Sequence, residues 1–485
     1  MKDSILKDSL MSGASTILSM SSLLILLPIF INSVGLSNYG IFSILLLLIN
    51  INMYVGFGID AALIKYLSSE NNKSLRDTDI IVSASIVILS GIAFLILLIY
   101  FREYVIVEVF SLNNNLNVDF LYISMTVSGV IFLIGGVFKA ILASKGKVYI
   151  FEFIKSIYTI IFWLSLVVSC TFGGGFNAFG IISLVTSIIW GICTMIIAIY
   201  IYGGIGLSGF LLNWRSSLIK QIHFSSNILL SNIFVLSFEP LTKILVINYF
   251  GTSSAAIYDI SLRLKNQVQQ LITKLLFPLY SSISKFDSTE KQLKFVIHSE
   301  VTILHLVAIC IPLFLLLRPL LYWWMPDVSD SIYFTLTPIL MSYILFSAVL
   351  TPGYYCLLSN HKLKTIIIYH MIILLVNFLV IFSTKDVLYY YSIVLGNAMA
   401  LIAGFPIILS KQNIIPLDTL LQNRIDIKSH LILIIANCLF LIILNYFYHL
   451  ELWWFLIIAL VVSIQLYRAM KKILCDLEII TATSK

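Results

Sequence analysis

The sequence predicts an all-α polytopic membrane protein of about fourteen transmembrane helices. Three observations predict this fold class: the composition, the recurrence of long apolar segments, and the distribution of Lys and Arg between the loops. Of the 485 residues, 60% are hydrophobic and only 11% are charged. A soluble chain of this length needs a charged surface that so few residues cannot supply, so lipid must be the solvent for most of this surface.

Apolar segments long enough to cross the bilayer recur along the whole chain. A helix needs about 20 predominantly apolar residues to cross about 30 Å of hydrocarbon. The first segment is long for a signal-peptide core and has no AxA-like cleavage site, so we interpret it as a retained first span. We place the spans near residues 12–31, 40–62, 80–101, 119–141, 150–171, 178–201, 222–248, 255–276, 298–318, 332–358, 365–383, 388–410, 430–447 and 452–469.

The Lys and Arg residues fall almost entirely on one side of this arrangement. With fourteen spans, one side receives 24 of the 30, in its loops or near the adjoining span ends, and the other side receives three. Positively charged loops stay in the cytoplasm, so both termini are predicted to be cytoplasmic. The other three cations, Lys243, Arg263 and Lys265, fall inside spans.

The loops and the cysteines exclude several classes of site. No loop exceeds about 25 residues, which leaves no room for a folded soluble domain, so function must lie in or between the helices. The six cysteines lie far apart and form no CxxC spacing or Cys/His cluster. We therefore predict no metal site, no disulfide framework and no cofactor. The net charge of +7 belongs to the cytoplasmic loops and does not indicate a nucleic-acid partner.

The two halves of the chain share short matching segments at a nearly constant offset. Residues 31–44 align without gaps on residues 247–260, and residues 142–147 match residues 357–362. Six spans separate the matched positions, so the halves share one orientation, which predicts a parallel repeat about an axis along the membrane normal. We therefore predict an N-terminal lobe over 1–213 (spans 1–6), a C-terminal lobe over 214–415 (spans 7–12), and two extra helices with a cytoplasmic tail over 416–485.

Short patterns at the helix ends carry a family resemblance: Gly35-x3-Tyr39-Gly40 after span 1, Gly56-x-Gly58-x-Asp60 closing span 2, and Gly251-x6-Tyr258 opening span 8. With these patterns the chain resembles polysaccharide flippases of the Wzx type, in the multidrug/oligosaccharidyl-lipid/polysaccharide exporter superfamily. The resemblance implies a V-shaped pair of six-helix bundles and a central cavity lined mainly by spans 1, 2, 7 and 8.

The same resemblance implies a transport function and no enzymatic activity. The expected substrate is an undecaprenyl-diphosphate-linked oligosaccharide repeat unit, moved from the cytoplasmic to the outer leaflet of a bacterial inner membrane for O-antigen or capsule assembly. The expected partners are this lipid-linked oligosaccharide, membrane lipids, and polysaccharide polymerase and chain-length proteins.

Charged residues crowd the two spans that the resemblance assigns to the cavity wall: Glu239, Lys243, Asp259, Arg263 and Lys265. A charge inside the bilayer is costly, which makes each a functional candidate. The acids stand four residues before Lys243 and Arg263, a spacing that places both partners on one helix face.

Two interpretations of these charges stay open. In one, a diphosphate or an acidic sugar binds to Lys243, Arg263 and Lys265, together with Asp259. Arginine suits such a substrate because its planar fork can donate two parallel hydrogen bonds to phosphate. In the other, the pairs neutralise one another and hold the lobes together. A purely structural role could be filled by apolar packing, and Lys265 has no acid at helical spacing on its N-terminal side, so we favour the first interpretation.

Three further polar residues are site candidates. Asn232 lies on one stripe of span 7 and could bind sugar hydroxyls, although small polar residues also serve close helix packing. Glu239 precedes Pro240, which removes a backbone hydrogen bond, so we predict ion coupling at a hinge. Asp60 is a candidate for the cavity mouth, with an interfacial pair to Lys65 as the alternative.

Other functions remain open at this stage. A drug/cation antiporter of the same superfamily would favour an acidic, aromatic cavity, whereas bases outnumber acids in spans 7 and 8, three to two. A lipid II flippase is closer in its substrate chemistry, and the sequence barely distinguishes it from a flippase of oligosaccharide repeat units. A membrane glycosyltransferase or polymerase would be expected to carry acidic or Arg-rich motifs on a large loop, and the longest outer loops are short.

Overall fold

In the computed structural model of the chain, every described secondary-structure element is helical. The structure describes residues 2–50, 56, 58–70, 72–112, 118–207, 210–283, 292, 295–300, 303, 321–326, 328, 331–360 and 362–411. The long helices are α1 (Lys2–Val34), α2 (Leu36–Ile49), α3 (Ile59–Ser69), α4 (Lys73–Tyr100), α5 (Asp119–Ser144), α6 (Val148–Thr171), α7 (Phe176–Tyr202), α8 (Phe210–Phe250), α9 (Thr252–Ile283), α10 (Ser331–Ser359), α11 (Leu363–Leu388) and α12 (Tyr391–Lys411). A short helix (Arg102–Tyr104) and a π-helical turn (Val105–Val109) follow α4.

The chain divides into two compact units, residues 1–259 and 260–485. In the first, α5 packs along α7, α1 along α6, and α8 against α4 and α3. In the second, α11 packs along α12, and α10 lies beside both. The lobe boundaries at 213/214 and 415/416 stay predictions, and the segment 416–485 with its two predicted spans lies outside the described residues.

Six helical segments in the described part of the chain are long and apolar enough to cross a membrane: Ile17–Val34, Lys73–Tyr100, Asp119–Ser144, Val148–Thr171, Phe176–Tyr202 and Lys364–Leu388. Their apolar side chains face outward as well as inward. Leu89 and Ile96 of α4, for example, are 68% and 63% exposed. Such faces need hydrocarbon around them, so the protein crosses the membrane several times. Most of the predicted span 298–318 lies outside the described residues.

The predicted span over 40–62 is not one uninterrupted helix. Helix α2 ends at Ile49, and α3 begins only at Ile59. Gly58, immediately before α3, has a φ of 67°, in the left-handed region that glycine adopts without steric cost. The Gly56-x-Gly58 pattern therefore marks a helix boundary inside a stretch whose hydropathy alone reads as one span.

The first predicted repeat is confirmed in the backbone. Gly35 ends α1 and Gly251 ends α8, with φ angles of 86° and 84°. The Gly35 N–H donates to the Ile31 carbonyl at 2.8 Å, and the Gly251 N–H donates to the Ile247 carbonyl at 3.0 Å. Each glycine thus closes one helix and lets the next start after a single residue.

The second repeat, three spans further on, has the same agreement. The Lys147 N–H donates to the Leu142 carbonyl at 2.9 Å, and the Lys362 N–H donates to the Leu357 carbonyl at 2.9 Å. These bonds close the turns between α5 and α6 and between α10 and α11. The turns match at offsets of 215 and 216 residues, so the two halves share the same local turn structure at these positions.

An aromatic cluster fixes the start of α2. Phe30 at the end of α1 meets Phe42 of α2, Trp163 of α6 and Phe179 of α7 edge to face, with ring centroids 5.3–5.8 Å apart. Tyr39 joins the same cluster at 6.2 Å from Phe30. Phe30, Phe42 and Tyr39 are fully buried. Edge-to-face packing of large rings restricts their rotamers, so the Tyr39 hydroxyl is held at a defined place.

Candidate functional site

Two of the predicted charged residues meet in a buried cluster with two residues of α2. The Lys243 Nζ lies 2.7 Å from Asp259 Oδ1 and also donates to the backbone carbonyl of Ser43. The Tyr39 hydroxyl donates to Asp259 Oδ2. We call Tyr39, Ser43, Lys243 and Asp259 the Lys243 cluster. It joins the last turns of α8 and the first turns of α9 to α2.

Close backbone approach brings these helices together. A Cβ atom on Gly40 would lie 1.9 Å from the carbonyl oxygen of Thr252, so only glycine allows α2 and the start of α9 to cross here. The Ser37 and Thr252 hydroxyls hydrogen-bond at 2.7 Å beside this crossing. The repeat thus places Gly35 and Gly251 so that the segments following them touch.

The Lys243 cluster is electrically balanced and shielded from solvent. Lys243 is 2% exposed and Asp259 is 7% exposed. Both oxygens of the carboxylate accept hydrogen bonds, which a buried charge requires. The pairing runs between helices, from α8 to α9, rather than only along one helix as the four-residue spacing predicted. Removal of either partner would leave the other charge buried without its counter-ion, which is strongly destabilising.

The other predicted site residues are placed as follows. Arg263 is half-buried and Lys265 is buried; both belong to α9 and to the second unit. Glu239 is half-buried on α8, one turn before Lys243, and α8 continues through Pro240. Asn232 lies on α8, but its side chain is outside the described residues. Their roles stay predictions.

Asp60 lies at the start of α3, directly after Gly58. It is half-buried, and its Oδ1 accepts the backbone N–H of Ala61 at 2.9 Å. Its proposed place at a cavity mouth stays a prediction. Within the part of the chain that the structure describes, no three His, Cys, Asp or Glu residues lie close enough together to hold a metal ion.

A second polar cluster, which the sequence analysis did not single out, joins α4 to α8. The buried Asp79 carboxylate accepts the Ser217 hydroxyl and lies 3.4 Å from Lys220 Nζ. Gln221 Nε2 donates to the Asp79 backbone carbonyl at 2.9 Å, and Ser83 donates to Gln221 Oε1 at 2.6 Å. We call Asp79, Ser83, Ser217, Lys220 and Gln221 the Asp79 cluster. One acid thus holds the first turns of α8 against α4.

The sequence carried no local signal for the Asp79 cluster. Asp77 and Asp79 stand directly before a long apolar run, a position at which an acid is expected to be solvated. Both are 2% exposed, and Asp77 accepts the Tyr202 hydroxyl at 2.6 Å and the Gly206 N–H at 2.9 Å. The partners lie more than 120 residues away, so spacing along the chain could not reveal them.

Replacement of Asp79 by alanine should destabilise the protein measurably. The buried Ser217 hydroxyl would lose its acceptor, and leaving such a group unsatisfied costs about 1–3 kcal/mol. The matched control is Asp119→Ala, because Asp119 pairs with Arg102 at 3.1 Å but is 55% exposed. Exposed pairs contribute about 0–1 kcal/mol. Thermal unfolding in detergent should show the larger drop for Asp79→Ala; equal drops would mean that the Asp79 cluster is not closed in solution.

A comparison with known protein families identifies the family of this chain. The family model described as "Polysaccharide biosynthesis protein" matches residues 34–319, which is more than half of the chain. The chain belongs to the polysaccharide biosynthesis protein family. The matched stretch of this polysaccharide biosynthesis protein contains the whole of both clusters. No curated protein sequence matches the chain.

Solved structures similar to this polysaccharide biosynthesis protein are flippases and transporters. The structure titled "Lipid II flippase MurJ, inward closed conformation" has a TM-score of 0.74 at 17% identity, covering 97% of this chain and 99% of that one. A MATE transporter from Vibrio cholerae, VcmN in the bent form, gives 0.54 at 11% identity, with 85% and 97% covered. A MOP superfamily transporter from Pyrococcus furiosus gives 0.57 at 13% identity, with 84% and 96% covered. The polysaccharide biosynthesis protein therefore has the MurJ/MATE-like fold.

Proposed function

We propose that this protein is a flippase that moves a lipid-linked oligosaccharide, joined to undecaprenyl through a diphosphate, from the cytoplasmic to the outer leaflet. The observation that carries the proposal is the buried Lys243–Asp259 pair in a membrane protein of a polysaccharide biosynthesis family. A membrane-buried cation held by one exchangeable carboxylate suits a substrate whose only fixed charges are phosphates. The fold shared with MurJ and MATE transporters supports transport rather than catalysis.

The Lys243 cluster suggests how substrate binding is linked to movement of the helices. When a diphosphate reaches Lys243, it replaces Asp259 as the anion facing the ammonium. The contact between α8 and α9 then weakens, while Tyr39 keeps its hydrogen bond to the released carboxylate. A substrate thereby supplies the free energy that separates the helices, and an empty transporter stays closed at this place.

The remaining predicted residues have roles in the same proposal. Arg263 and Lys265 contact the diphosphate or acidic sugars, Asn232 contacts sugar hydroxyls, Glu239 couples transport to an ion, and Asp60 lies at the cavity mouth. The protein works in a bacterial inner membrane with both termini in the cytoplasm, as the loop charges predict. Polysaccharide polymerase and chain-length proteins receive its product.

A deletion strain tests the function, complemented with wild type, Arg263→Ala, or Arg102→Ala as control. We expect Arg263→Ala to abolish surface polysaccharide and to trap intact lipid-linked repeat units on the inner leaflet, because the substrate loses a cationic contact. Arg102 pairs with Asp119 near the protein surface, and its variant should export normally. Loss of glycan without a trapped intermediate would point to a synthetic enzyme instead.

A lipid II flippase is the second candidate, favoured by the extent of the structural match to MurJ. Both substrates carry an undecaprenyl diphosphate, so the same cations serve either one. The two are separated by testing whether the protein supports growth of cells depleted of their lipid II flippase. Growth would assign lipid II; no growth, with loss of a surface glycan in the deletion strain, would assign the oligosaccharide.

A further inference from the structure

Two lysines from different helices meet over a pair of aromatic rings where α3 packs against α8. Lys65 Nζ lies 4.2 Å from the Phe224 ring centroid and 5.8 Å from that of Tyr66. Lys220 Nζ lies 3.9 Å from the Tyr66 ring centroid. The two rings are 6.0 Å apart, edge to face. We call Lys65, Tyr66, Lys220 and Phe224 the lysine–aromatic site.

The two ammonium groups are close enough to share one ligand. Both contact the Tyr66 ring, at 5.8 and 3.9 Å from its centroid, so they lie less than about 10 Å apart. A diphosphate carries negative oxygens on two phosphorus centres and can contact both groups at once. A single phosphate or a carboxylate offers a shorter span and fewer charges.

Aromatic contacts hold a cation without neutralising it. A ring attracts an ammonium through its quadrupole, so the full positive charge remains available to an anion. Lys65 is exposed and held in this way. Burial, with the nearby Asp79 carboxylate, raises the pKa of Tyr66, so that ring stays neutral, and its hydroxyl donates to the Lys220 carbonyl at 3.3 Å. The platform is therefore fixed in place and uncharged.

Lys220 is the more constrained of the two lysines, yet it remains accessible. Its side chain is 38% exposed, and its ammonium lies 3.4 Å from Asp79, which also accepts the Ser217 hydroxyl. Lys220 therefore has one carboxylate partner, whereas Lys65 contacts the two rings. The site carries two lysine charges beside the single Asp79 carboxylate.

We propose that the lysine–aromatic site is a docking site for the diphosphate head of a polyprenyl-linked substrate in the cytoplasmic leaflet. The inference rests on the proposed function, and it adds a contact outside the charged positions of α8 and α9. The loop charges place this end of α3 and α8 at the cytoplasmic surface, where the diphosphate of such a lipid lies. Because Lys65 belongs to α3 and Lys220 to α8, a bound diphosphate bridges the two helices.

Binding of undecaprenyl diphosphate to the full-length protein in phosphatidylcholine nanodiscs tests the inference. We expect Lys65→Gln/Lys220→Gln to weaken binding by about tenfold or more, because two charged hydrogen bonds are lost. The control, Lys147→Gln/Lys155→Gln, removes the same charge from two exposed lysines of the same predicted side and should stay within about twofold of wild type. Lys65→Arg/Lys220→Arg keeps both charges and should retain binding, and thermal unfolding of each double variant in detergent separates loss of charge from misfolding.

Three outcomes would overturn the inference. Unchanged affinity in Lys65→Gln/Lys220→Gln would exclude the site, and equal losses in both double variants would reduce it to general surface charge. Displacement of the probe by phosphatidylglycerol at similar concentration would assign the site to anionic phospholipids. The binding measurement needs no transport, so its failure is distinguishable from failure of the proposed function, which the trapped-intermediate experiment decides.

Discussion

Replacement of Lys243 by alanine should destabilise the protein by about 3–5 kcal/mol, the largest effect expected for any single change here. The variant leaves the Asp259 carboxylate 7% exposed and without its ammonium partner. Thermal unfolding of the purified protein in detergent measures the loss. Lys155→Ala, at an exposed position on α6, is the control and should unfold like wild type.

A double substitution then separates a structural from a substrate-binding role for Lys243. In Lys243→Met/Asp259→Asn both charges are gone, the lysine volume is roughly kept, and the amide introduced on α9 still offers an oxygen to the Tyr39 hydroxyl. Much of the stability should return, since neighbouring sites are not additive. Export should nevertheless be lost, because the diphosphate can no longer replace Asp259 at the Lys243 ammonium. A stable double variant that exports normally would make the pair a structural contact only.

Replacement of Gly40 by alanine is expected to cost more than the about 1–3 kcal/mol typical of an overpacked core. The new Cβ would lie 1.9 Å from the Thr252 carbonyl oxygen, and a backbone atom cannot rotate away as a side chain can. The variant must therefore move α2 away from α9, which pulls Tyr39 away from Asp259. We expect both a lower unfolding temperature and loss of export.

Gly136→Ala is the matched control for Gly40→Ala. Gly136 also lies within a helix, but its Cβ would meet only the Asp60 Cβ, at 4.0 Å, an ordinary contact distance. Exchange of glycine for alanine there should leave stability unchanged or raise it slightly, since alanine has the higher helix propensity. If Gly40→Ala unfolds no earlier than Gly136→Ala, the close crossing of α2 and α9 does not exist in the membrane.

Much of the fold could be predicted because the signals are local. Hydropathy marks α5 to α7 within a few residues and α4 except for its first seven, and the repeat offset marks the turns at Gly35 and Gly251, whose backbone angles nearly coincide. The break within 40–62 also has a local feature: Gly58 precedes α3 in a left-handed backbone conformation, to which a hydropathy window is insensitive.

The candidate site was predictable in its residues but not in its contacts. Lys243 and Asp259 stand out because charges within spans are costly. Their link to Tyr39 and Ser43 crosses 200 or more residues, and no spacing rule reaches that far. The Asp79 cluster was missed for a related reason: an acid at a helix start reads as solvated unless its partners on α8 are known.

The Lys243 ammonium touches Ser43 and Asp259, which are the same position in the two copies of the repeat, 216 residues apart. The copy-equivalent of Lys243 is Leu27, which is fully buried and apolar. The two copies of the repeat therefore differ in charge at this position, and a single ammonium faces the single Asp259 carboxylate.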